Sequence, residues 1–152
     1  MSSITEAVDV SVPVRVAYDQ WAQFETFPQF LGGVREVRRL DDDHLHFVVH
    51  LAGLTREFDA LITDLHPYQR VAWRSDGAPE NDGVITFHPL DDTHTRVTAH
   101  IDIDPKGFVE NIADKLGYLN HLVRTNMTKF KHFIEEGETA VGDSDDADHP
   151  GS

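Results

Sequence analysis

The chain has 152 residues, a formal net charge of −14 and no cysteine. This length favours one domain whose core needs no covalent cross-links, and a sequence without cysteine excludes disulfides, thiol nucleophiles and thiolate metal ligands. The negative charge disfavours nucleic acid as a partner, and because no signal peptide and no apolar stretch of about 20 residues is visible, we expect a cytoplasmic protein without membrane insertion.

The first part of the chain predicts one strand followed by two short helices. Residues 4–12 alternate between valine and polar side chains, as a half-buried strand does. Pro13 ends that strand, and apolar residues at helical spacing predict a helix over residues 14–24. Residues 26–30 fit a second helical turn, which a pair of glycines closes.

The middle of the chain predicts six further strands. They cover residues 34–40, 45–51, 55–66, 70–75, 83–89 and 95–104. Consecutive strands joined by short loops pair antiparallel, so this part predicts a sheet of about seven antiparallel strands when the first strand is included. A sheet with helices outside the strand run is an α+β architecture.

An apolar stripe follows the last strand and predicts one long amphipathic helix. Its members recur at steps of three and four residues: Phe108, Ile112, Leu116, Leu119, Val123, Met127, Phe130 and Ile134. This period is that of an α-helix with one face on a core. We therefore expect a helix from Phe108 to Ile134 on the concave face of the sheet.

The C-terminal end is acidic and poor in large apolar side chains. Asp143, Asp145, Asp146 and Asp148 lie close together there. Such a composition cannot bury enough apolar surface to offset the entropy of ordering the chain. We therefore predict a single domain over residues 1–138 and a disordered acidic tail over residues 139–152.

Several strings in this order resemble the START/SRPBCC superfamily, and within it the polyketide cyclase/dehydrase-like branch. They are VDVSVPVRVAYDQWAQFETFPQF, RVAWRS, GVITFHPLDDTHTRV and FKHFIEEG. The resemblance implies a helix-grip fold, in which a curved antiparallel sheet wraps around a long C-terminal helix and leaves a cavity between them. Members include lipid carriers, coenzyme-Q-binding proteins, plant hormone binders and aromatase/cyclases, so the resemblance implies a pocket without fixing a reaction.

Titratable side chains fall mostly on outward phases of the predicted strands. His44, His46 and His50 share one face of their strand, which is one way to hold a metal ion. The opposite face of that strand is apolar, so we interpret the histidines as the solvent side and predict no metal site. Arg56 and Asp64 share inward phases near strand ends and are candidates for contact with a ligand.

The predicted site is an apolar pocket with aromatic walls. Strand candidates lie on inferred inward phases, helix candidates form the first part of the stripe, and the segment with two phenylalanines after the first helix is placed by the resemblance. The predicted ligand-binding residues are Phe27, Phe30, Phe58, Trp73, Phe87, Phe108, Ile112 and Leu116. We predict no cofactor, and no catalytic residue is identified.

Three functions fit this pattern. Binding of a small hydrophobic, aromatic or lipid-like molecule is favoured, because the inward phases are mostly apolar. The alternative is a polyketide aromatase/cyclase, which needs polar groups near the pocket mouth to assist proton transfer. A third is an accessory protein that holds a partner protein in an apolar groove. A further alternative is that the aromatic side chains themselves fill the pocket and form a solid core.

Overall fold

The computed structural model describes the backbone of residues 1–147 and the side chains of residues 1–137. Seven strands are present in this part of the chain: β1 (Ser2–Val10), β2 (Val34–Arg39), β3 (His44–Leu51), β4 (Leu54–His66), β5 (Arg70–Asp76), β6 (Asn81–Asp91) and β7 (His94–Ile103). The helices are α1 (Val14–Trp21), a first 3₁₀ helix (Phe24–Gln29), a second 3₁₀ helix (Pro105–Gly107) and α2 (Lys115–Ala147). The predicted α+β order, with two short helices after the first strand, is confirmed.

The strands form one antiparallel sheet in the order β1-β7-β6-β5-β4-β3-β2. Strands β2 to β7 pair in sequence order through short turns, and β1 joins the outer edge of β7. The sheet curls into a half-barrel whose concave face holds the core. This topology confirms the predicted antiparallel sheet of seven strands.

Alternation along the strands decides which side chains enter the core. In β3, Leu45 and Phe47 are buried, whereas His44, His46 and His50 are partly exposed. Successive side chains of a strand point to opposite faces, so the histidines lie on the convex side of the sheet. The predicted phase of this strand is therefore confirmed.

The long helix begins at Lys115, so its predicted start at Phe108 is wrong. Two local features explain the later start. Asn111 has a φ of 59°, in the left-handed region that a right-handed helix does not continue through. The Asp114 carboxylate accepts a hydrogen bond from the Gly117 backbone N–H at 2.9 Å, which satisfies one of the free donors of the first helical turn.

The second half of the predicted stripe is confirmed. Leu119, Met127, Phe130 and Ile134 are buried on the face of α2 that meets the core. Leu116 is 37% exposed, so its predicted place in the core is wrong: it lies on the first helical turn, before the helix meets the sheet. On α2, the buried part of the stripe therefore starts at Leu119, whereas Phe108 is buried from the segment before the helix.

The C-terminal end of α2 runs further than predicted. The backbone is helical as far as Ala147, which includes the first part of the segment 139–152 that the sequence assigns to an acidic tail. Residues 148–152 of that segment lie outside the described residues. That the tail contributes nothing to folding stays a prediction.

Polar contacts fix α2 along the edge strand β1. Asn120 donates a hydrogen bond to Glu6 at 3.0 Å, and Lys131 donates to the Asp9 carbonyl at 3.0 Å. Among the strands, β1 is the one that α2 approaches most closely. The helix therefore stands over one side of the concave face and leaves space above the other strands. No helix in the described part of the chain has the length and apolarity needed to cross a membrane.

Candidate functional site

A cavity of about 190 Å³ lies between the concave face of the sheet and α2. All seven strands, α1, the first 3₁₀ helix and α2 contribute side chains to its walls. Aliphatic and aromatic side chains make up nearly all of this lining. The rings therefore do not fill the interior, and the alternative of a solid core is wrong.

Aromatic rings form one wall of the cavity. Phe47 and Phe58 face each other across β3 and β4, and their rings stack with centroids 5.0 Å apart at an angle of 5°. Phe108 meets Phe58 edge-on at 5.7 Å, and Phe27 lies against Phe47 at 6.4 Å. Offset-stacked and edge-to-face rings at these distances attract one another, so the wall is a connected aromatic layer.

Four of the eight predicted site residues line this cavity: Phe27, Phe58, Trp73 and Phe108. The strand phases place Phe58 and Trp73 there, and Phe27 reaches it from the first 3₁₀ helix. Phe108 reaches the cavity from the segment between β7 and α2 rather than from a helix. A role for these residues in binding stays a prediction.

Phe30 and Phe87 are buried but do not line the cavity. Phe30 packs against Trp21 at 5.4 Å and against Phe130 at 5.4 Å, in an aromatic cluster beneath α2. Phe87 meets Tyr18 edge-on at 5.5 Å, where α1 covers the end of β6. Phe87 has the inward strand phase that the sequence predicts, but α1 packs over it. Phe30, which the resemblance places at one end of the cavity, packs against Trp21 and Phe130 instead.

Ile112 and Leu116 also lie away from the cavity. Ile112 is partly buried in the segment before α2, and Leu116 is exposed on its first turn. Helical phase does not apply before Lys115, so the apolar stripe does not predict where Ile112 lies. Leu116 is within α2, but its side chain on the first turn is exposed. The helix residues that do line the cavity lie further along α2: Leu119, Leu122, Val123, Asn126 and Met127.

Two asparagines supply the polar side-chain amides of the lining. Asn126 donates to the Gly32 carbonyl at 3.0 Å and accepts from the Gly32 N–H at 2.8 Å, which ties α2 to the loop before β2. Asn81 is 4% exposed. Its side chain accepts from the Trp73 indole N–H at 2.9 Å and donates to the Pro79 carbonyl at 3.1 Å. Neither asparagine is predicted from the sequence, since a lone amide carries no periodic signal.

Arg56 and Asp64, the two candidates for ligand contact, are both engaged elsewhere. Arg56 donates to the Gly107 carbonyl at 2.9 Å and pairs with Glu110 at 3.0 Å. These contacts hold the segment that carries Phe108 against β4. Asp64 forms an ion pair with Arg70 on the neighbouring strand. Arg56 therefore holds the segment next to Phe108, and neither Arg56 nor Asp64 is part of the lining.

The main cluster of histidine and carboxylate groups lies on the convex face. His46 lies between Asp59 at 2.6 Å and Glu57 at 2.8 Å. Hydrogen bonds to Asp59 and then to Glu57 raise the pKa of His46, against a smaller opposing effect of burial. Among the described residues, no group of three or more His, Asp and Glu side chains is arranged to hold a metal ion.

Sequence comparisons relate the chain to known proteins. A profile of the family described as "Polyketide cyclase / dehydrase and lipid transport" matches residues 10–131. An uncharacterized protein of 17.2 kDa from Streptomyces lincolnensis is 45% identical over 143 residues, which covers 93% of this chain and 95% of that protein. The profile match covers β2 to β7 and α2 as far as residue 131, and so most of the cavity lining.

Solved structures share the fold. The Zhui aromatase/cyclase from a Streptomyces species superposes with a TM-score of 0.79 at 15% identity, over 93% of this chain and 98% of that chain. A START superfamily protein from Mycobacterium smegmatis superposes with a TM-score of 0.73 at 12% identity, over 88% of this chain and 97% of that chain. These likenesses confirm the predicted helix-grip fold.

Proposed function

The chain belongs to the polyketide cyclase/dehydrase and lipid transport family, and we propose that it binds an uncharged, apolar molecule in the cavity between the sheet and α2. The observation that carries this proposal is the lining itself. Apolar side chains surround about 190 Å³ of space, and the two amides of the lining are bonded to protein groups. Such a site gains affinity from buried apolar area, about 25 cal/mol per Å².

The charge of the ligand follows from the same lining. Among the lining residues, all of which lie in the described part of the chain, none carries a titratable side chain. A charged group drawn into such a space loses its hydration without gaining a partner. The net charge of −14 adds a general repulsion of anions. An alcohol, ester, ketone or hydrocarbon therefore suits the interior better than a carboxylate or a sulfonate.

The lining favours binding over cyclisation. The Zhui structure is that of an aromatase/cyclase, and ring closure followed by dehydration needs side chains that move protons at the reacting atoms. Here the amides of Asn81 and Asn126 are committed to Trp73, Pro79 and the Gly32 backbone. Those bonds support a carrier or sequestering protein rather than an enzyme for this chain.

Two probes with one ring skeleton test the proposal. Phenylnaphthylamine is uncharged, and anilinonaphthalene sulfonate carries the same rings with an added anionic group. We expect phenylnaphthylamine to bind with a Kd of about 1 μM, which corresponds to about −8 kcal/mol, and the sulfonate to bind at least about tenfold more weakly. Fluorescence titration of the folded protein measures both. No binding of the uncharged probe, or equal affinity for the two, would contradict the proposal.

A further inference from the structure

Trp73 and Gly83 are direct cross-strand neighbours on the concave face, on β5 and β6. A methyl group built on Gly83 would lie 2.3, 2.4 and 2.8 Å from three consecutive carbons of the Trp73 benzene ring. The three distances are similar, so that methyl position lies over the face of the ring rather than beyond its edge. The indole therefore covers Gly83 with one face and lies along the sheet.

The backbone does not require glycine at this position. Gly83 is in a strand, and its φ lies outside the left-handed region that favours glycine. Glycine inside a strand weakens the strand and commonly marks a place where another group approaches closely. Here the approaching group is the indole of Trp73, so the space above Gly83 is used by the ring.

A second contact fixes the ring in its plane. The Trp73 N–H donates to Asn81 at 2.9 Å, and Asn81 is held in turn by the Pro79 carbonyl and by its own N–H to the Ser75 hydroxyl at 3.0 Å. The buried amide leaves the indole few other orientations, since turning the ring away would leave buried polar atoms without partners. The indole thus lies with one face against Gly83 and is hydrogen-bonded at its edge to Asn81.

We infer that Gly83 is a specificity-determining residue, because it lets Trp73 lie against the sheet as a flat wall of the cavity. Any side chain at this position would push the indole into the space that a ligand needs. A flat wall that is fixed in place suits a rigid ring system more than a flexible chain, because a ring stacks on it without losing conformational freedom. This inference rests on the proposed binding function and adds the shape of the ligand.

The test uses Gly83→Ala, with Gly137→Ala as the matched control. A methyl group on Gly137 meets no atom within 4 Å, so the control makes the same chemical change in open space. The probes are phenylnaphthylamine, which is a rigid ring system, and dodecanol, which is a flexible chain measured by displacement. We expect Gly83→Ala to weaken the binding of phenylnaphthylamine at least tenfold and the binding of dodecanol at most threefold. Gly137→Ala should change neither affinity by more than twofold.

A double-mutant cycle shows whether Gly83 acts through the ring. Trp73→Phe removes the outer ring carbons that the methyl group would meet, so in this background Gly83→Ala should change the affinity for phenylnaphthylamine by less than about twofold. If Gly83→Ala alone does not fold, the inference expects Gly83→Ala with Trp73→Phe to regain the fold.

Three results would overturn the inference. The first is that Gly83→Ala leaves the ratio of the two affinities unchanged, whether or not both probes bind more weakly. The others are an equal effect of Gly83→Ala in the Trp73→Phe background and an unfolded double variant. If the wild-type chain binds neither probe, the proposed function itself fails, and that outcome is distinct from a wild-type chain that binds both while Gly83→Ala has no effect.

Discussion

At the residue scale, both asparagine amides in the cavity lining are occupied by hydrogen bonds to protein groups. Asn126 makes two hydrogen bonds with Gly32, and Asn81 links Trp73 to the Pro79 carbonyl. A buried polar atom without a partner costs about 1–3 kcal/mol, so these bonds stabilise the walls. They leave neither amide free for a ligand, so affinity depends mainly on buried area. The buried Trp21 indole N–H, also in the lining, has no hydrogen-bond partner in the described part of the chain.

The convex face offers a test at the residue scale that is independent of the cavity. Hydrogen bonds to Asp59 and Glu57 raise the pKa of His46 above its ordinary value of 6.5. A raised pKa in the folded state means that protonated His46 stabilises the fold at pH values below about 6.5, and that this contribution is lost as the pH rises through the folded-state pKa. The wild type should therefore lose stability relative to His46→Gln as the pH rises.

Urea unfolding at about pH 5.5 and about pH 8.5 measures this difference. The control is His50→Gln, because His50 bonds the uncharged Thr55 hydroxyl at 2.8 Å on the same face. We expect the free-energy difference between wild type and His46→Gln to shrink at the higher pH, and that for His50→Gln to change less. A difference for His46→Gln that is constant across this range, or that grows with pH, would argue against the bridging arrangement.

At the element scale, the alternation of side chains along strands and the 3.6-residue period of helices differ in how well they predict which residues reach the cavity. Strand phase correctly identifies the inward face that carries Phe58 and Trp73, because a strand's period of two leaves one choice of face. It does not separate Trp73 from Phe87, since which inward residues meet a cavity depends on the helix packed above them.

The start of α2 shows where periodicity misleads. Apolar residues recur at steps of three and four even before the helix begins. Phe108 and Val109 are buried there, although the segment that carries them is not part of α2. The sequence does contain a start signal, since Asp114 precedes Gly117 by three residues and caps its N–H. A capping residue is thus a better guide to this boundary than the apolar stripe.

Two matched substitutions on α2 test where the helix enters the core. Leu119 is 3% exposed and Leu116 is 37% exposed. Leu119→Asp buries an unpaired charge and should lower the free energy of unfolding by several kcal/mol, about 3 or more. Leu116→Asp should change it by about 0.5 kcal/mol or less. Similar losses in thermal or urea unfolding would contradict the packing of the helix.

At the scale of the whole molecule, an open interior is costly. Empty volume in a core costs about 24 cal/mol per Å³, so 190 Å³ corresponds to roughly 5 kcal/mol, which is comparable with the net stability of about 5–15 kcal/mol for a whole domain. A bound apolar ligand offsets this cost and raises stability by RT ln(1 + L/Kd), where L is the free ligand concentration. Ligand binding would therefore compensate for the stability that the cavity costs.

The acidic C-terminal segment is a second test at this scale. Residues 139–152 carry several aspartates and few apolar side chains, so we predict that they contribute nothing to the core. A chain that ends at Glu138 should keep its melting temperature within about 2 °C and its affinity for phenylnaphthylamine within about twofold. A large loss of either after truncation would mean that this segment packs against the domain.

The central claim is that an apolar molecule binds inside the cavity, and matched tryptophan substitutions on α2 test it most directly. Leu122 lines the cavity, whereas Leu116 is exposed and does not. Leu122→Trp should fill the space and weaken the binding of phenylnaphthylamine at least about tenfold, or about 1.4 kcal/mol, with the fold retained. Leu116→Trp should leave its affinity within about twofold of wild type. Equal affinities in the two variants, measured by fluorescence titration, would contradict a binding site between the sheet and α2.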